Sequence, residues 1–193
     1  MIQFLIKLIL SLFKGSDIKP VTKPAIPEVK PSDFEAAFPW IIKWEGSDYE
    51  DVPGDNGGAT KYGIDASSHP GVDIKGLTLQ SAKAIYQKEW DGCLSATLPS
   101  PLDIVYFNYH VNTGASRANK FLQAALGVSQ DGVVGPKTEA VIKQIIDYKM
   151  TASRMVDAAD AFYRGLANSQ SHDAQFLKGW LNRNKDLRDT FLV

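Results

Sequence analysis

From Ser32 to Asn182 the apolar residues recur at intervals of three and four, and no alternating run reaches the length of a buried strand. Spacing of that kind puts side chains on one face of a helix, so the chain is expected to be all-α, with at most a short hairpin. The longest stripe is Ala152, Met155, Val156, Ala159, Phe162, Tyr163 and Leu166, which has the width of a core-facing surface.

Stop and start signals divide the pattern. Ser32 and Glu35 have the spacing of a capping box and open a helix carrying Phe34, Ala37, Phe38, Ile41 and Ile42 on one face. Pro39 is expected to kink or split it. Thr78 caps a helix to Trp90, with Leu79, Ala82, Ile85 and Tyr86 inward. Ser100-Pro101 starts another, with proline at the first helical position, running to Asn112. A further helix spans Ala115 to Leu126 and stops at Gly127. Asp131-Gly132 marks a tight turn, and Gly135-Pro136 opens the next helix. A final helix is expected over Asp173 to Asn182, with Phe176, Leu177, Trp180 and Leu181 on its apolar face.

The first 30 residues differ in kind. Residues 1–14 are almost wholly apolar, with Gln3, Lys7, Ser11 and Lys14 on one helical stripe. The run falls short of the roughly 20 residues that cross a bilayer. It also lacks the basic start and small-residue cleavage site of a signal peptide. An interfacial membrane helix or a short signal anchor fits best. Residues 15–33 carry prolines at 20, 24, 27 and 31 and form an extended spacer with no packing face. The remainder divides into segments 34–98 and 99–187.

Charge and composition exclude several functions. Lys plus Arg (21) nearly balances Asp plus Glu (22), leaving none of the basic footprint that phosphate binding needs, so nucleic acid is not expected as a partner. Cys93 is alone, which rules out an internal disulfide and leaves an idle thiol. His69, His110 and His172 have no metal-ligand spacing, and neither calcium-loop, phosphate-loop nor nucleophile-elbow motifs occur. No metal and no cofactor are expected.

The chemistry then rests on carboxylates. Trp44-Glu45-Gly46 ends the first helix, and Gly54-Asp55-Asn56-Gly57-Gly58-Ala59-Thr60-Lys61-Tyr62-Gly63-Ile64 follows. Five glycines from Gly46 to Gly63 allow tight turns and close backbone approach. An acid among the apolar neighbours Ile41, Ile42 and Trp44, a second carboxylate, a hydroxyl and an aromatic ring together suit glycosidic bond cleavage. Asp55 also fits an Asx turn, and Tyr62 also fits a core ring.

The ordered string from Glu45 to Ile64 resembles glycoside hydrolase family 108, the bacterial and phage N-acetylmuramidases, departing from its pattern at Ser47 and Asn56. A second set of motifs resembles the family's C-terminal peptidoglycan-binding region. It comprises Phe107 to Gly114, Leu122 to Val128, Asp131 to Thr138 and Gly179-Trp180-Leu181-Asn182-Arg183. The resemblance covers about Phe34 to Arg183. It implies a lysozyme-like helical catalytic domain with a minor β element, packed against a helical wall-binding region. It further implies Glu45 as catalytic acid, with Asp55 and Thr60 orienting water and Tyr62 stacking on a sugar. Asn108, Tyr109, Asn112 and Thr113 carry groups suited to N-acetyl sugars or stem peptides, although Asn112-Thr113 equally suits a helix cap. The expected partner is peptidoglycan, the expected state a monomer, and the expected location the cell envelope, with residues 1–14 as tether. A lytic transglycosylase and a non-catalytic peptidoglycan-binding or secretion-accessory protein are the alternatives.

Overall fold

The computed structural model describes residues 31–52, 57–169 and 173–193. Residues 1–30, on which the expected membrane-associated helix and most of the expected spacer fall, lie outside them, as do Asp55 and His172. No described helix is long and apolar enough to cross a membrane.

The described residues form seven α-helices and one two-stranded sheet, the all-α class expected. Helix α1 (Phe34–Glu45) is followed by strands β1 (Thr60–Lys61) and β2 (Ile64–Asp65). Then come α2 (Leu79–Asp91), α3 (Leu102–Thr113), α4 (Ala115–Leu126), α5 (Pro136–Ile142), α6 (Tyr148–Ser169) and α7 (Leu177–Phe191). Helix α3 is buried at every position from Leu102 to Tyr109, which fits a central helix packed on α1, α4 and α6. Around its first half, Phe34, Trp90 and Phe107 meet edge to face, with Trp90 and Phe107 4.9 Å apart.

Helix α1 begins differently from the expectation. Its N-cap is Asp33, whose side chain accepts from the Ala36 N–H at 3.0 Å. Ser32 is engaged elsewhere: its hydroxyl donates to the Ser95 carbonyl (3.0 Å) and accepts from the Trp90 indole (3.1 Å). Glu35 pairs with Lys83 at 2.7 Å instead of reaching back to the cap. The Asp33 N–H donates to the buried Asp103 carboxylate at 2.6 Å, tying the start of α1 to the start of α3. Pro39 does not split the helix, which runs unbroken from Phe34 to Glu45. Proline removes one hydrogen bond to the Glu35 carbonyl. The burial of Phe34, Ala37, Phe38, Trp40 and Ile41 outweighs that loss.

Thr78 caps α2, as the sequence predicts, and completes a capping box with Ser81, but Leu79 is exposed. Pro101 is the N-cap of α3, one position earlier than expected. Helix α4 ends at Gly127 in the left-handed conformation, and Pro136 is the first residue of α5. The last helix departs most: a short 3₁₀ turn (Asp173–Gln175) precedes α7, which continues to Phe191. Its buried residues are Arg183, Asn184 and Leu187, whereas Phe176 is exposed. Asn184 accepts from the Tyr109 hydroxyl (3.0 Å) and donates to Asp160 (2.7 Å), so polar partners seat this helix.

Candidate active site

Glu45 is the last residue of α1, and the chain leaves through Gly46 at a φ of +81°. It returns as the β1–β2 hairpin, paired Thr60 with Asp65 and Lys61 with Ile64. Glu50 adds a single bridge to Thr60. The two turn residues, Tyr62 (φ +55°) and Gly63 (φ +74°), are both left-handed, the geometry of a tight hairpin turn. That turn lies directly on Glu45. A Cβ at Gly63 would stand 2.8 Å from both Cβ and Cγ of Glu45 and 2.7 Å from the Tyr86 hydroxyl oxygen. Only glycine permits this approach. Tyr86 locks it, since its hydroxyl donates to the Tyr62 carbonyl at 2.8 Å. Burial, and then the Glu45 charge, hold the Tyr86 phenol well above its ordinary range, so it remains a donor.

On its other side the Glu45 carboxylate meets α7. Nη1 of Arg183 donates to Oε1 at 2.7 Å, with the two side chains 20% and 9% exposed for Glu45 and Arg183. Nε of Arg183 donates to Oδ1 of Asn108 at 2.8 Å. The guanidinium lies 5.5 Å from the Trp40 ring and 6.0 Å from that of Trp44. Both indoles in turn donate to Asp186, at 2.9 and 2.8 Å, and Lys43 donates to the same carboxylate. Those bonds, that from Lys43 first, hold the Asp186 carboxyl below its usual range. Apolar rings and a cation thus share the surroundings of Glu45, where the sequence suggested apolar neighbours alone. One carboxylate oxygen is bound to Arg183, and Oε2 accepts no hydrogen bond among the described residues.

The sequence-predicted residues separate. Thr60 lies half-buried in the hairpin, its hydroxyl donating to the Ile64 carbonyl at 3.3 Å. The half-buried Tyr62 ring carries Lys61 Nζ 5.5 Å from its centroid. Asn108 reaches Glu45 only through Arg183, and it is fully buried. Tyr109 is fully buried as well, with its hydroxyl on Asn184, so neither side chain presents a polar group at the surface. Thr113 donates back to the Tyr109 carbonyl at 2.7 Å, in the manner of a helix-end residue. Exposed Asn112 stands 3.5 Å from the Tyr163 hydroxyl.

Behind the hairpin lies a cavity of about 200 Å³ shared by Gly63, Asp65, Ser68, His69, Tyr86, Glu89 and His110. Nε2 of His69 stands 3.1 Å from Glu89, and burial holds His110 below the usual imidazole range. No group of three ligand-type side chains suited to a metal occurs among the described residues. Sequence reasoning missed Arg183 and Asp186 as the α7 side chains gathered around Glu45, Trp40 and Trp44. Arg183 did stand at the end of the Gly179-Trp180-Leu181-Asn182-Arg183 string, the one signal that marked it.

Residues 38–114 match the family described as glycosyl hydrolase 108, and residues 117–185 match a predicted peptidoglycan domain. The structure of Brucella abortus SagA is similar at 31% identity and a TM-score of 0.66, over 81% of this chain and 91% of SagA. No curated protein matches the chain. Glu45 and its hairpin fall inside the first matched segment, and Arg183 falls inside the second. The chain belongs to the glycosyl hydrolase 108 family, with the predicted peptidoglycan domain joined to it in one continuous core.

Proposed function

We propose that the chain is an N-acetylmuramidase that hydrolyses the β-1,4 bond between N-acetylmuramic acid and N-acetylglucosamine in peptidoglycan. The observation that carries this reading is the setting of Glu45. Its carboxylate is fixed through one oxygen by Arg183, roofed by the Gly63 turn, and still one-fifth exposed. An acid so held can present its other oxygen to a glycosidic oxygen. Asp55 and Thr60 place the attacking water on the opposite face of the sugar, so that the anomeric centre inverts. Tyr62, at the hairpin tip, supplies a ring for stacking. Amide and hydroxyl groups near the end of α3 contribute wall contacts. The setting is host lysis by a phage or prophage enzyme at the cell envelope, with residues 1–14 as a membrane tether.

The test is digestion of purified peptidoglycan by the wild type and by Glu45→Gln, followed by mass spectrometry. Muropeptides with reducing ends are expected from the wild type. The glutamine variant should lose about 10²–10⁴-fold in rate, the usual worth of general acid catalysis. Anhydro ends would identify a lytic transglycosylase, and intact wall would identify a non-catalytic binding or secretion-accessory protein. Proton NMR of the first product should show the α-anomer, and Asp55→Ala and Thr60→Ala should each slow its formation. A β-anomer would overturn the water-placing roles.

A further inference from the structure

Arg183 belongs to the segment matched as a predicted peptidoglycan domain, yet each neighbour that holds its guanidinium belongs to the glycosyl hydrolase segment. Glu45 takes Nη1, Asn108 takes Nε, and the Trp40 and Trp44 rings stand 5.5 and 6.0 Å from the guanidinium. Helix α7 thus inserts one charged side chain into a socket built by residues 38–114. We propose that Arg183 is a positioning residue of the catalytic centre, fixing Oε1 of Glu45 so that Oε2 faces the scissile oxygen. The segment that contains α7 therefore completes the acid site as well as serving the wall. This inference rests on Glu45 being the acid.

Stability alone accounts poorly for the arrangement. A buried guanidinium needs all its donors satisfied to repay its lost hydration. Here Nη2 of Arg183 and Nδ2 of Asn108 are both buried with no hydrogen-bond partner among the described residues. An apolar side chain of similar volume would fill the socket without leaving those groups unpaired. What an apolar side chain cannot do is orient a carboxylate. Arginine does so through a rigid planar fork: the Asn108 bond fixes the plane, the indoles fix its tilt, and Nη1 is left pointing at Oε1. Asp186, one turn further along α7, takes the N–H of both indoles, so the same helix that delivers the arginine also sets the rings around it.

Three full-chain variants test this on soluble glycan strands: Arg183→Ala, Arg183→Lys and Asn108→Ala. Misplacing a catalytic group by about 1 Å costs on the order of 10²-fold. A fall of that size in kcat is expected for Arg183→Ala, and a smaller fall for the other two, with KM within about twofold in each. Added guanidinium at millimolar concentration should restore part of the Arg183→Ala rate and none of the Glu45→Gln rate. A merely structural arginine would show no such rescue. If Arg183→Ala does not fold, Arg183→Lys and Asn108→Ala decide the matter. A lowered kcat at unchanged KM and unchanged thermal midpoint supports the positioning role. Wild-type kcat in both, or a raised KM alone, overturns it. Glu45→Gln is measured alongside: activity retained there overturns the reading of Glu45 itself. Full activity in the arginine variants beside an inactive Glu45→Gln overturns only the present inference.

Discussion

Replacing Gly63 by alanine isolates the contact on which the site depends. The added methyl would lie 2.7 Å from the Tyr86 hydroxyl and 2.8 Å from two carbons of Glu45. Non-bonded carbons sit best at about 3.5–4.0 Å, so the overlap approaches an ångström. Neither neighbour can easily retreat. Tyr86 would forfeit its hydrogen bond to the Tyr62 carbonyl, and Glu45 would forfeit Arg183. Overpacking of this kind costs about 1–3 kcal/mol. The left-handed backbone adds about 1–2 kcal/mol for a residue with a Cβ. Gly127→Ala supplies the control, because Gly127 has nearly the same φ (+70° against +74°) and no atom within 4 Å of an added Cβ. Only the backbone cost applies there. Equilibrium urea unfolding should therefore place Gly63→Ala about 1–3 kcal/mol below Gly127→Ala. Glycan cleavage should fall on the order of 10²-fold in Gly63→Ala through displacement of Glu45, with little change in Gly127→Ala. Equal stability of the two variants, with wild-type cleavage by Gly63→Ala, would refute the close approach of hairpin and acid.

Burial pushes the Asp103 carboxyl up to about 6, so the folded state holds its proton more tightly than the unfolded chain. Its stabilising contribution is full below about pH 4 and is lost as pH rises through about 6, about 3 kcal/mol in all. Asp103→Asn should flatten that part of a stability–pH curve measured by urea midpoints, and an unchanged slope would count against it. Asp186→Ala leaves two partly buried indole N–H groups without their acceptor and should cost about 1–3 kcal/mol at neutral pH. Because the Asp186 carboxyl is held low, the wild-type advantage over that variant should persist down to about pH 4 and shrink below it; a constant difference in melting temperature would refute this. Deleting residues 1–30 should give a folded protein that still digests isolated peptidoglycan, while the full chain sediments with membranes. Aggregation of the shortened form would make the segment part of the core.

Legibility from sequence followed the range of the interactions involved. The Thr78 cap, the Gly127 stop and the Pro136 start use partners within a few residues, and each stands where its local signal put it. Ser32 and Asp33 were both competent to cap α1. A bond to Ser95, 63 residues away, drew Ser32 off and left the cap to Asp33. In α7 the apolar spacing marks Phe176, Leu177, Trp180 and Leu181, of which Leu177 and Trp180 pack against the core, but the buried residues are Arg183, Asn184 and Leu187. Periodicity counts apolar residues and is blind to polar ones buried by distant partners, here 75 residues away for both Asn108 with Arg183 and Tyr109 with Asn184. The same blindness explains the site. Glu45 was legible because a glycine-rich string follows it, whereas the arginine that holds it carries no local mark of that role.

Glu45 and Arg183 are 138 residues apart in sequence, which gives their meeting a place in the order of folding. Contacts within α1, within the hairpin and between α3 and α4 close short loops and can form early. The carboxylate–guanidinium contact closes one of the longest loops in the fold, and closing a longer loop costs more chain entropy. On a ribosome, a chain that has emerged only as far as the end of α6 already has the whole glycosyl hydrolase segment, but no cation beside its acid. During synthesis Glu45 meets its guanidinium partner only once α7, the last helix of the chain, has emerged.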